Sequence, residues 1–488
     1  MNRYLAIDLG AESGRVMLGS IDDDKLVLEE LHRFPNTPVR TPSGLYWDTL
    51  RLFHEIQQGL AVAGRERKVR IEGIGVDTWG VDFGLVGCDG SLVASPMHYR
   101  DSRNDGMLER TFAAVPRAEI FAHTGVQFMQ FNTLCQLYAM KLAGSPALDA
   151  AGRLLMVPDL LNYWLTGVQA NELTDASTTQ FYNPIKKGWA VELFERLGLP
   201  SRILGEIVYP GTSLGPLLAH VAEAAGMDPA PVYATASHDT AAAVAAVPAE
   251  GEDWCYISSG TWSLMGLELA EPVVNEKSLA WNLTNEIGYG GSVRLLKNIA
   301  GLWLLQECRR AWAVDGGDYS YEELAHLAAE ATPFKAVIHP DAFLHPGQLP
   351  SKIAAYCRAN GQAAPETPGE FARTILESLA LRYRQVLEGL ESVSGRTIKV
   401  VHIVGGGSRN MVLNQFVADA TQRIVVAGPA EGTAAGNVMV QAIGSGVFAS
   451  LKQARSVLRN STDLKLIEPV PGGAWDEAYA RFCKLPAG

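Results

Sequence analysis

The first residues whose types could do chemistry form a short glycine-bearing segment near the start of the chain, Asp8-Leu-Gly-Ala-Glu-Ser-Gly-Arg15. Gly10 and Gly14 allow backbone N–H groups to approach a polyanion closely, and Ser13 and Arg15 add side-chain donors. Asp8, at the end of the preceding strand, could hold a hydrated Mg²⁺ against phosphates. The segment therefore predicts phosphate binding, with a plain β-hairpin and a glycine turn as the alternative.

A second segment of the same composition, Ser258-Ser-Gly-Thr261, follows an apolar stretch in the other half of the chain. Alone it is a weaker signal than the first, because hydroxyls and glycine also make ordinary turns. Two such hairpins, one in each half, favour duplicated domains that offer both hairpins to one cleft. Such a cleft would hold a phosphate chain from both sides.

The tetrapeptide Ser237-His238-Asp239-Thr240 precedes an alanine-rich stretch at 241–246. Spacing alone favours Asp239 as the N-cap of a helix. The functional alternative is a general base in an interdomain cleft, where the helix N-terminus would also influence its ionisation. No G-x-S-x-G elbow accompanies this tetrapeptide, so nucleophilic catalysis by serine has no support.

Two further segments could contact ligands. Gly405-Gly-Gly-Ser-Arg-Asn410 joins a predicted strand to a helix, which fits close backbone contact with a nucleotide or a tight turn. It is not a dinucleotide fingerprint, because Asn410 stands where the last glycine belongs, and the chain has no Walker A or H-E-x-x-H motif. Asp77-Thr-Trp-Gly-Val-Asp-Phe83 pairs an aromatic side chain with carboxylates, as sugar sites often do. An ordinary turn with a core tryptophan fits it equally well.

The elements that must position these residues begin with three predicted strands, at Tyr4–Ile7, Arg15–Leu18 and 25–34. A helix is predicted from near Asp48, with apolar residues on one face. Three strands before the first helix do not fit a doubly wound dinucleotide fold, which alternates from its start.

A candidate domain boundary lies at 247–254, where proline, glycine and acidic residues separate two apolar stretches. The opening pattern then returns as predicted strands at Trp254–Ile257 and Trp262–Glu268. Later, helical spacing runs from Phe371 to Leu390, and a buried strand at Ile398–Val404 precedes a helix from about Asn410. The elements of 313–350 could not be ordered from the sequence.

Length and composition limit the class of protein. The chain has 488 residues, 47% of them hydrophobic and 19% charged, which predicts two or more folded domains. Its net charge of −12 argues against binding nucleic acid or anionic lipid, but not against anionic substrates held by backbone N–H groups. The six cysteines are scattered, and no apolar run reaches 18 residues. We expect a cytoplasmic protein with reduced thiols and no membrane segment.

Several strings in this chain resemble the FGGY carbohydrate kinases. The hairpin Asp8–Arg15, the Ser-His-Asp-Thr at 237–240 and the three glycines at 405–407 resemble the family as a whole. Other strings are similar to its branch that acts on L-rhamnulose: Asp-Thr-Trp-Gly-Val-Asp-Phe (77–83), Tyr-Arg-Asp-Ser-Arg (99–103), Phe-Asn-Thr-Leu (131–134), Ser-Ser-Gly-Thr-Trp-Ser-Leu-Met-Gly (258–266), Lys-Asn-Ile (297–299) and Gly-Leu-Trp-Leu-Leu-Gln (301–306). Together these motifs extend over nearly the whole chain.

The resemblance implies an α/β fold with two ribonuclease-H-like domains of the actin/hexokinase type flanking a catalytic cleft. Residues 1–247 would bind the sugar and carry the first phosphate hairpin, and residues 248–488 would bind the nucleotide. The implied reaction is phosphorylation of L-rhamnulose at O1 in L-rhamnose catabolism, with ATP and Mg²⁺.

By motif, the resemblance makes Asp239 the general base that takes the proton of the sugar hydroxyl. Gly80, His238 and Asp239 itself would contact the sugar, and Asp8 would hold Mg²⁺ through water. The implied ATP-binding residues are Ala11, Glu12, Ser13, Gly14, Arg15, Thr261, Asn298, Gln306 and Gly406.

The sequence departs from the family at two places. Glu12 stands in the phosphate hairpin where many relatives carry a small residue, so we expect it to point away from the phosphates or towards the metal. Val417 and Thr421 occupy the helix positions where some relatives carry cysteines, so we expect no disulfide.

Two alternative functions remain open. One is another ketose kinase of the same superfamily, such as a fuculokinase or a xylulokinase. The other is an actin-like or chaperone-like ATPase that binds and moves a protein partner. The expected partners are a small ketose and ATP, with no nucleic acid and no membrane, in a monomer or small homo-oligomer.

Overall fold

The computed structural model describes residues 1–314, 316–345 and 347–486. Asp315 and Pro346 lie outside the described residues. Both belong to the region 313–350, for which the sequence predicted no order of elements. The chain forms two compact units. Unit 1 comprises Met1–Pro248, Glu268–Leu295 and Gly432–Ser461, and unit 2 comprises Ala249–Leu267, Leu296–Glu431 and Thr462–Gly488.

The strands of the described chain are β1 (Asn2–Leu9), β2 (Ser13–Asp22), β3 (Lys25–Pro35), β4 (Val39–Thr41), β5 (Gly44–Tyr46), β6 (Gly73–Thr78), β7 (Phe83–Val86), β8 (Leu92–Ala94), β9 (Arg153–Met156), β10 (Asn171–Glu172), β11 (Tyr182–Asn183), β12 (Gly188–Trp189), β13 (Ile207–Val208), β14 (Thr212–Pro216), β15 (Pro231–Ala234), β16 (Trp254–Ser259), β17 (Trp262–Leu269), β18 (Thr284–Ile287), β19 (Val293–Ala300), β20 (Val400–Val404), β21 (Ile424–Ala427) and β22 (Lys465–Ile467).

The α-helices are α1 (Thr49–Ala61), α2 (Met107–Ala114), α3 (Arg117–Thr124), α4 (Thr133–Leu142), α5 (Pro146–Ala150), α6 (Val157–Thr166), α7 (Leu173–Ala176), α8 (Val191–Arg196), α9 (Ala219–Ala225), α10 (Asp239–Ala245), α11 (Glu276–Ala280), α12 (Trp303–Val314), α13 (Tyr321–Glu330), α14 (Leu349–Ala359), α15 (Pro368–Ser394), α16 (Met411–Thr421), α17 (Gly432–Gly444), α18 (Leu451–Ser461) and α19 (Ala474–Phe482). A π-helical segment, Val62–Arg67, continues α1. Short 3₁₀ segments lie at Ser102–Asn104, Ser177–Thr179, Ser201–Ile203, Tyr289–Gly291, Pro340–Phe343 and Gly406–Arg409.

The main sheet of unit 1 has the strand order β14-β15-β6-β1-β2-β3. The first three strands are antiparallel neighbours, as predicted, whereas β6 runs parallel to β1 and β15 runs parallel to β6. The register places Asp8 opposite Arg15 on one side and beside Asp77 on the other. Three charged residues from separate segments therefore share one position across the sheet.

Unit 2 repeats this arrangement. Its neighbouring strands run in the order β17-β16-β20-β21-β22, with β16 antiparallel to β17 and parallel to β20. β20 is in turn parallel to β21. An antiparallel hairpin followed by parallel strands thus occurs in both units, in agreement with the two related halves predicted from the turns.

The two faces of β1 explain its composition. Leu5, Ile7 and Leu9 belong to a core that includes the apolar face of α1. The even-numbered Tyr4 and Ala6 pack instead with the apolar side chains of α17. Side chains alternate between the faces of a strand, so Asp8 continues the row that faces α17.

Helices α10 and α17 pack so closely that their backbones are in contact at Gly436 and Ala242. A Cβ added to Gly436 would lie 1.8 Å from the carbonyl oxygen of Ala242, which is closer than any real contact. The alanines of 241–246 and the glycine of α17 therefore permit a close helix crossing that larger side chains would prevent.

This packing also explains why the units differ from the contiguous ranges 1–247 and 248–488 expected from the sequence. The first segment of unit 1 does end at Pro248. However, α17 and α18 cover apolar residues of the first sheet, so Gly432–Ser461 belongs to unit 1 together with Glu268–Leu295.

Three other predictions about helices are confirmed. Asp48 caps α1, α15 contains the helical spacing of Phe371–Leu390, and α16 starts at Met411 with Asn410 as its N-cap. The six cysteines are free thiols, two exposed and four buried. Within the described ranges, we find no helix whose length and apolarity would allow it to cross a bilayer.

Candidate active site

The turn between β1 and β2 is held by its own backbone and by Asn36, the residue that follows β3. The Gly10 N–H donates to the Ser13 carbonyl (2.9 Å), and the Asn36 side chain donates to the Gly10 carbonyl (2.8 Å). The Asn36 N–H donates to the Glu12 carbonyl (2.9 Å). This turn carries the predicted ATP-binding residues of unit 1, Ala11, Glu12, Ser13, Gly14 and Arg15, and the Glu12 side chain is exposed.

Packing alone already requires a glycine at position 14. A Cβ at this position would lie 2.3 Å from the Phe34 ring and 2.5 Å from the Leu9 side chain. The glycine therefore allows the hairpin to lie directly on its apolar neighbours.

Asp8 and Arg15 pair with each other at the base of this turn, with Arg15 Nη2 2.5 Å from Asp8 Oδ2. Beside them, Asp77 is fully buried and accepts a hydrogen bond from Asn437 Nδ2 at Oδ2 (2.6 Å). Its Oδ1 atom has no hydrogen-bond partner among the described residues. Burial, and then the nearby carboxylate of Asp8, raises the pKa of Asp77 well above its usual range.

Asp239 is the first residue of α10, not its N-cap as the spacing predicted. The N-cap is His238, whose backbone is extended and whose side chain makes no capping hydrogen bond. Asp239 Oδ1 instead accepts hydrogen bonds from Thr240 N (2.6 Å) and Thr240 Oγ1 (3.2 Å). The Oδ2 atom of Asp239 makes no hydrogen bond to any residue that the structure describes, and 31% of the side chain is exposed. Burial raises the pKa of Asp239, while His238 opposes this rise.

The His238 imidazole lies between Asp239 and a buried ion pair. Its Nε2 atom is 3.4 Å from Asp239 Oδ1, and its Nδ1 atom is 3.1 Å from Arg294 Nη2. The Arg294 side chain is fully buried, and its Nη2 is 3.2 Å from Glu286 Oε2. The same Nδ1 atom is 3.4 Å from Glu286 Oε2, so the imidazole lies against both members of the ion pair.

The surroundings of Glu286 favour its ionised form. Burial opposes its ionisation, but His238 and Arg294 outweigh that effect and hold the pKa of Glu286 below its usual range. No local pattern in the sequence marks this pair, because β18 and β19 both contain further polar residues.

The backbone of the Ser237–Asp239 segment is held on two sides. The Thr78 N–H donates to the Ser237 carbonyl (2.8 Å). On the other side, the Ser237 N–H donates to Glu172 Oε2 (3.0 Å) and the His238 N–H donates to Thr174 Oγ1 (3.2 Å). Glu172 and Thr174 lie in a polar stretch, residues 171–180, that is buried throughout.

The string Asp77–Phe83 places its polar groups differently from the sugar-binding hypothesis. The Asp82 carboxylate is fully buried and accepts hydrogen bonds from Trp47 Nε1 (2.6 Å) and Trp79 Nε1 (3.0 Å) at Oδ2. Burial raises the pKa of Asp82 to about 6, against the effect of these donors. Both carboxylates of the string, Asp77 and Asp82, are fully buried, whereas the predicted sugar contact Gly80 is partly exposed.

In unit 2, three of the predicted nucleotide-binding residues lie close together. Gln306 Nε2 donates to Thr261 Oγ1 (3.3 Å), and the Trp303 N–H at the start of α12 donates to the Thr261 carbonyl (3.0 Å). β16 is parallel to β20, so the loop of Gly406 lies against Ser259 at the ends of these strands. Asn298 is partly buried in β19.

Several contact residues escaped the sequence reasoning: Asn36, Glu172, Thr174, Glu286, Arg294 and Asn437. All six have polar side chains. Each lies far along the chain from the candidate segment that it contacts. Two patterns in the sequence could have pointed to some of them. One is Asn437 within the mostly apolar segment that forms α17, and the other is the run of polar residues at 171–180.

The chain matches models of the FGGY family of carbohydrate kinases in two regions, the N-terminal domain at residues 3–246 and the C-terminal domain at 255–445. It is 45% identical to a rhamnulokinase of Bacteroides thetaiotaomicron over 481 residues, 98% of each chain. It is 42% identical to a rhamnulokinase of Pectobacterium carotovorum, covering 99% of this chain and 97% of the relative.

The structure is similar to that of a xylulose kinase from Lactobacillus acidophilus, with a TM-score of 0.82 at 15% identity, covering 99% of this chain and 97% of the other. It also resembles a Plasmodium falciparum glycerol kinase with ADP, with a TM-score of 0.78 at 16% identity and the same coverage. These structures confirm the two-domain α/β fold expected from the motifs.

Proposed function

The chain belongs to the FGGY family of carbohydrate kinases, and from this premise we propose that it phosphorylates L-rhamnulose at O1 with ATP, in the catabolism of L-rhamnose. Relatives named rhamnulokinase share 38–45% of their residues with this chain over nearly its whole length, which supports this substrate over other ketoses. The product would be L-rhamnulose 1-phosphate.

The observation that carries the proposed chemistry is the setting of Asp239. One of its carboxylate oxygens is held by Thr240, and the other is partly exposed with no partner in the described protein. In this proposal Oδ2 accepts the O1 proton of the sugar as O1 attacks the γ-phosphorus, and the bond from the γ-phosphorus to the bridging oxygen breaks to release ADP. Gly80 and His238 would orient the sugar. The raised pKa of Asp239 makes the carboxylate a better proton acceptor.

The ATP phosphates would contact the β1–β2 turn of unit 1, through Ala11, Glu12, Ser13, Gly14 and Arg15. We also propose that Thr261, Asn298, Gln306 and Gly406 of unit 2 contact the nucleotide. Phosphoryl transfer needs positioning and neutralisation of charge more than covalent chemistry, and turns rich in N–H and hydroxyl groups supply both.

The donor set fits Mg²⁺. Asp8 and Asp77 lie side by side in the register of the sheet, and Asp77 has an oxygen without a partner in the described chain. Among those residues no cluster of three metal-ligating side chains occurs, and Mg²⁺ is usually held by one or two carboxylates with water and phosphates. Bound Mg²⁺ would neutralise charge on the phosphates. Asp8 would hold it through water, which requires that the pairing of Asp8 with Arg15 give way.

We further propose that residues 1–247 mainly bind the sugar and 248–488 mainly the nucleotide. The free thiols are compatible with a cytoplasmic location. A monomer or small homo-oligomer stays a prediction.

A coupled ADP-release assay tests the proposed substrate, with L-rhamnulose, L-fuculose, D-xylulose and glycerol as acceptors. We expect the highest kcat/KM with L-rhamnulose, because specificity is the ratio of these values. A higher value with another ketose would assign the chain to a different kinase. ATP turnover that ignores every ketose and rises with a protein partner would contradict sugar phosphorylation altogether.

A further inference from the structure

A buried carboxylate supports the backbone that carries Asp239. The Glu172 side chain is fully buried. Its Oε1 accepts a hydrogen bond from Thr174 N (2.9 Å), and its Oε2 accepts from Thr174 Oγ1 (2.6 Å) and Ser237 N (3.0 Å). The Asp175 N–H also donates to Oε2, at 3.3 Å.

We propose that Glu172 is a positioning residue for phosphoryl transfer, acting through Thr174 and Ser237 to fix the backbone that aims the Asp239 carboxylate. This inference rests on the proposed function, in which Asp239 is the base. Glu172 touches neither the sugar nor the nucleotide in this proposal.

The connection to Asp239 consists of consecutive backbone groups. Glu172 holds the Ser237 N–H, and Thr174, itself held by Glu172, accepts from the next N–H, that of His238. Asp239 follows directly and begins α10. The Thr78 N–H holds the Ser237 carbonyl from the opposite side. The position of Asp239 is thus determined by two clamps, one from β6 and one from Glu172.

The donors around Glu172 require an acceptor on both oxygens. Three backbone N–H groups and one hydroxyl converge on the carboxylate, and a neutral glutamine would direct its own NH₂ group at some of them. Asp159 Oδ1 accepts from the Glu172 N–H (3.0 Å), which orients the residue itself. Glu172→Gln should therefore shift the Ser237–Asp239 backbone without creating a cavity.

Glu172→Gln tests this, with Glu377→Gln as the matched control. Glu377 is 1% exposed, and its carboxylate accepts from Phe334 N (2.9 Å) and Arg373 Nε (2.7 Å) in unit 2. We expect Glu172→Gln to lower kcat about 10- to 100-fold, because small displacements of a catalytic group cost this much. The KM for sugar should change by less than about threefold, because the residue makes no ground-state contact with sugar.

The control should keep kcat within about twofold of the unmodified chain, since none of its hydrogen bonds reaches Asp239. Equal kcat values for the two variants would overturn the inference. So would a loss in Glu172→Gln confined to KM.

A second pair of variants covers the case in which Glu172→Gln does not fold. Thr174→Val removes the hydroxyl that joins Glu172 to the His238 N–H, and Thr174→Ser restores it. We expect kcat to fall about tenfold in the first and to recover in the second. A Thr174→Val enzyme with normal kcat would contradict the proposal.

Asp239→Asn, measured alongside, separates this inference from the proposed function. Near-normal turnover in Asp239→Asn would remove the base itself. An inactive Asp239→Asn together with a fully active Glu172→Gln would remove only the positioning role.

Discussion

At the scale of single residues, Asp239 is held on one side and open on the other. Thr240 engages Oδ1 and His238 lies beside it, so the side chain is oriented without losing its capacity to accept a proton. The other two carboxylates discussed above differ from Asp239 in how many of their oxygen atoms are hydrogen-bonded inside the protein. Asp82 is saturated by internal donors, and Asp77 has one oxygen held by Asn437.

Replacing Asp239 by asparagine should remove the proton acceptor while preserving size. We expect kcat to fall at least about a hundredfold, since a general base typically contributes about 10²–10⁴ in rate. Affinity for nucleotide, measured by fluorescence titration, should stay the same. Turnover close to that of the unmodified chain would exclude Asp239 from the mechanism.

Replacing Asp8 by asparagine should affect the demand for Mg²⁺. We expect the half-saturating Mg²⁺ concentration to rise about 10- to 100-fold, the usual range for residues that hold a metal through an intermediary. KM for the sugar is the internal control and should stay unchanged. An unaltered Mg²⁺ requirement would show that Asp8 serves only as the partner of Arg15.

At the scale of elements, the repeated hairpins and long helices were predictable because their signals are local. The turn glycines Gly10 and Gly260 and the apolar spacing of α15 can each be recognised within a short window of sequence. The clamp on Asp239 was not readable in this way. Glu172 and Ser237 are 65 positions apart, and Glu286 and Arg294 meet His238 from separate strands. A single sequence contains no direct record of such pairings.

The register of charged residues shows the same limit. Asp8 was identified as a candidate from its own segment, but its neighbour Asp77 was assigned to sugar binding because it precedes a tryptophan. Only the pairing of β1 with β6 puts the two carboxylates side by side. The spacing of Asp239 misled for a related reason, because the extended backbone of His238 fixes where α10 begins.

The crossing of α10 and α17 offers a test at this scale. Gly436→Ala should destabilise the protein by about 1–3 kcal/mol, the usual cost of overpacking a tight interface. Gly188→Ala is the matched control, because a Cβ at Gly188 meets nothing within 4 Å. Urea denaturation of both variants checks the difference, and equal midpoints would contradict the close crossing.

At the scale of the whole molecule, a net charge of −12 coexists with a proposed triphosphate substrate. Backbone N–H groups, hydroxyls and Mg²⁺ can bind phosphate without a basic surface. Acidic residues also occur in the interior, where several carboxylates are fully buried.

These buried acids predict how stability depends on pH. Burial raises the pKa of Asp82 to about 6 and the pKa values of Glu172 and Glu377 to about 7. The folded chain therefore binds more protons than the unfolded chain between about pH 4 and 7, and its stability falls as pH rises through this window. His98 and His339 act oppositely below about pH 6.5, because burial lowers their pKa values to about 3 and about 4.

The carboxylates outnumber these two histidines, so the free energy of unfolding should be higher at pH 5.5 than at pH 8, by an amount on the order of a few kcal/mol. Urea denaturation at the two values measures it. Glu377→Gln should reduce the difference, because it removes one of the groups responsible. Greater stability at pH 8 would mean that these carboxylates ionise freely in the folded protein.

The three-segment composition of unit 1 has a consequence for synthesis on the ribosome. Residues 1–248 emerge first, but Tyr4, Ala6 and Met17 are covered by side chains of α17 and α18, which are translated after nearly all of unit 2. Domains commonly fold as they are made, from the N-terminus onward. Here the first unit to be started is completed late, so the nascent chain must keep an apolar sheet face protected until residue 461 has left the exit tunnel.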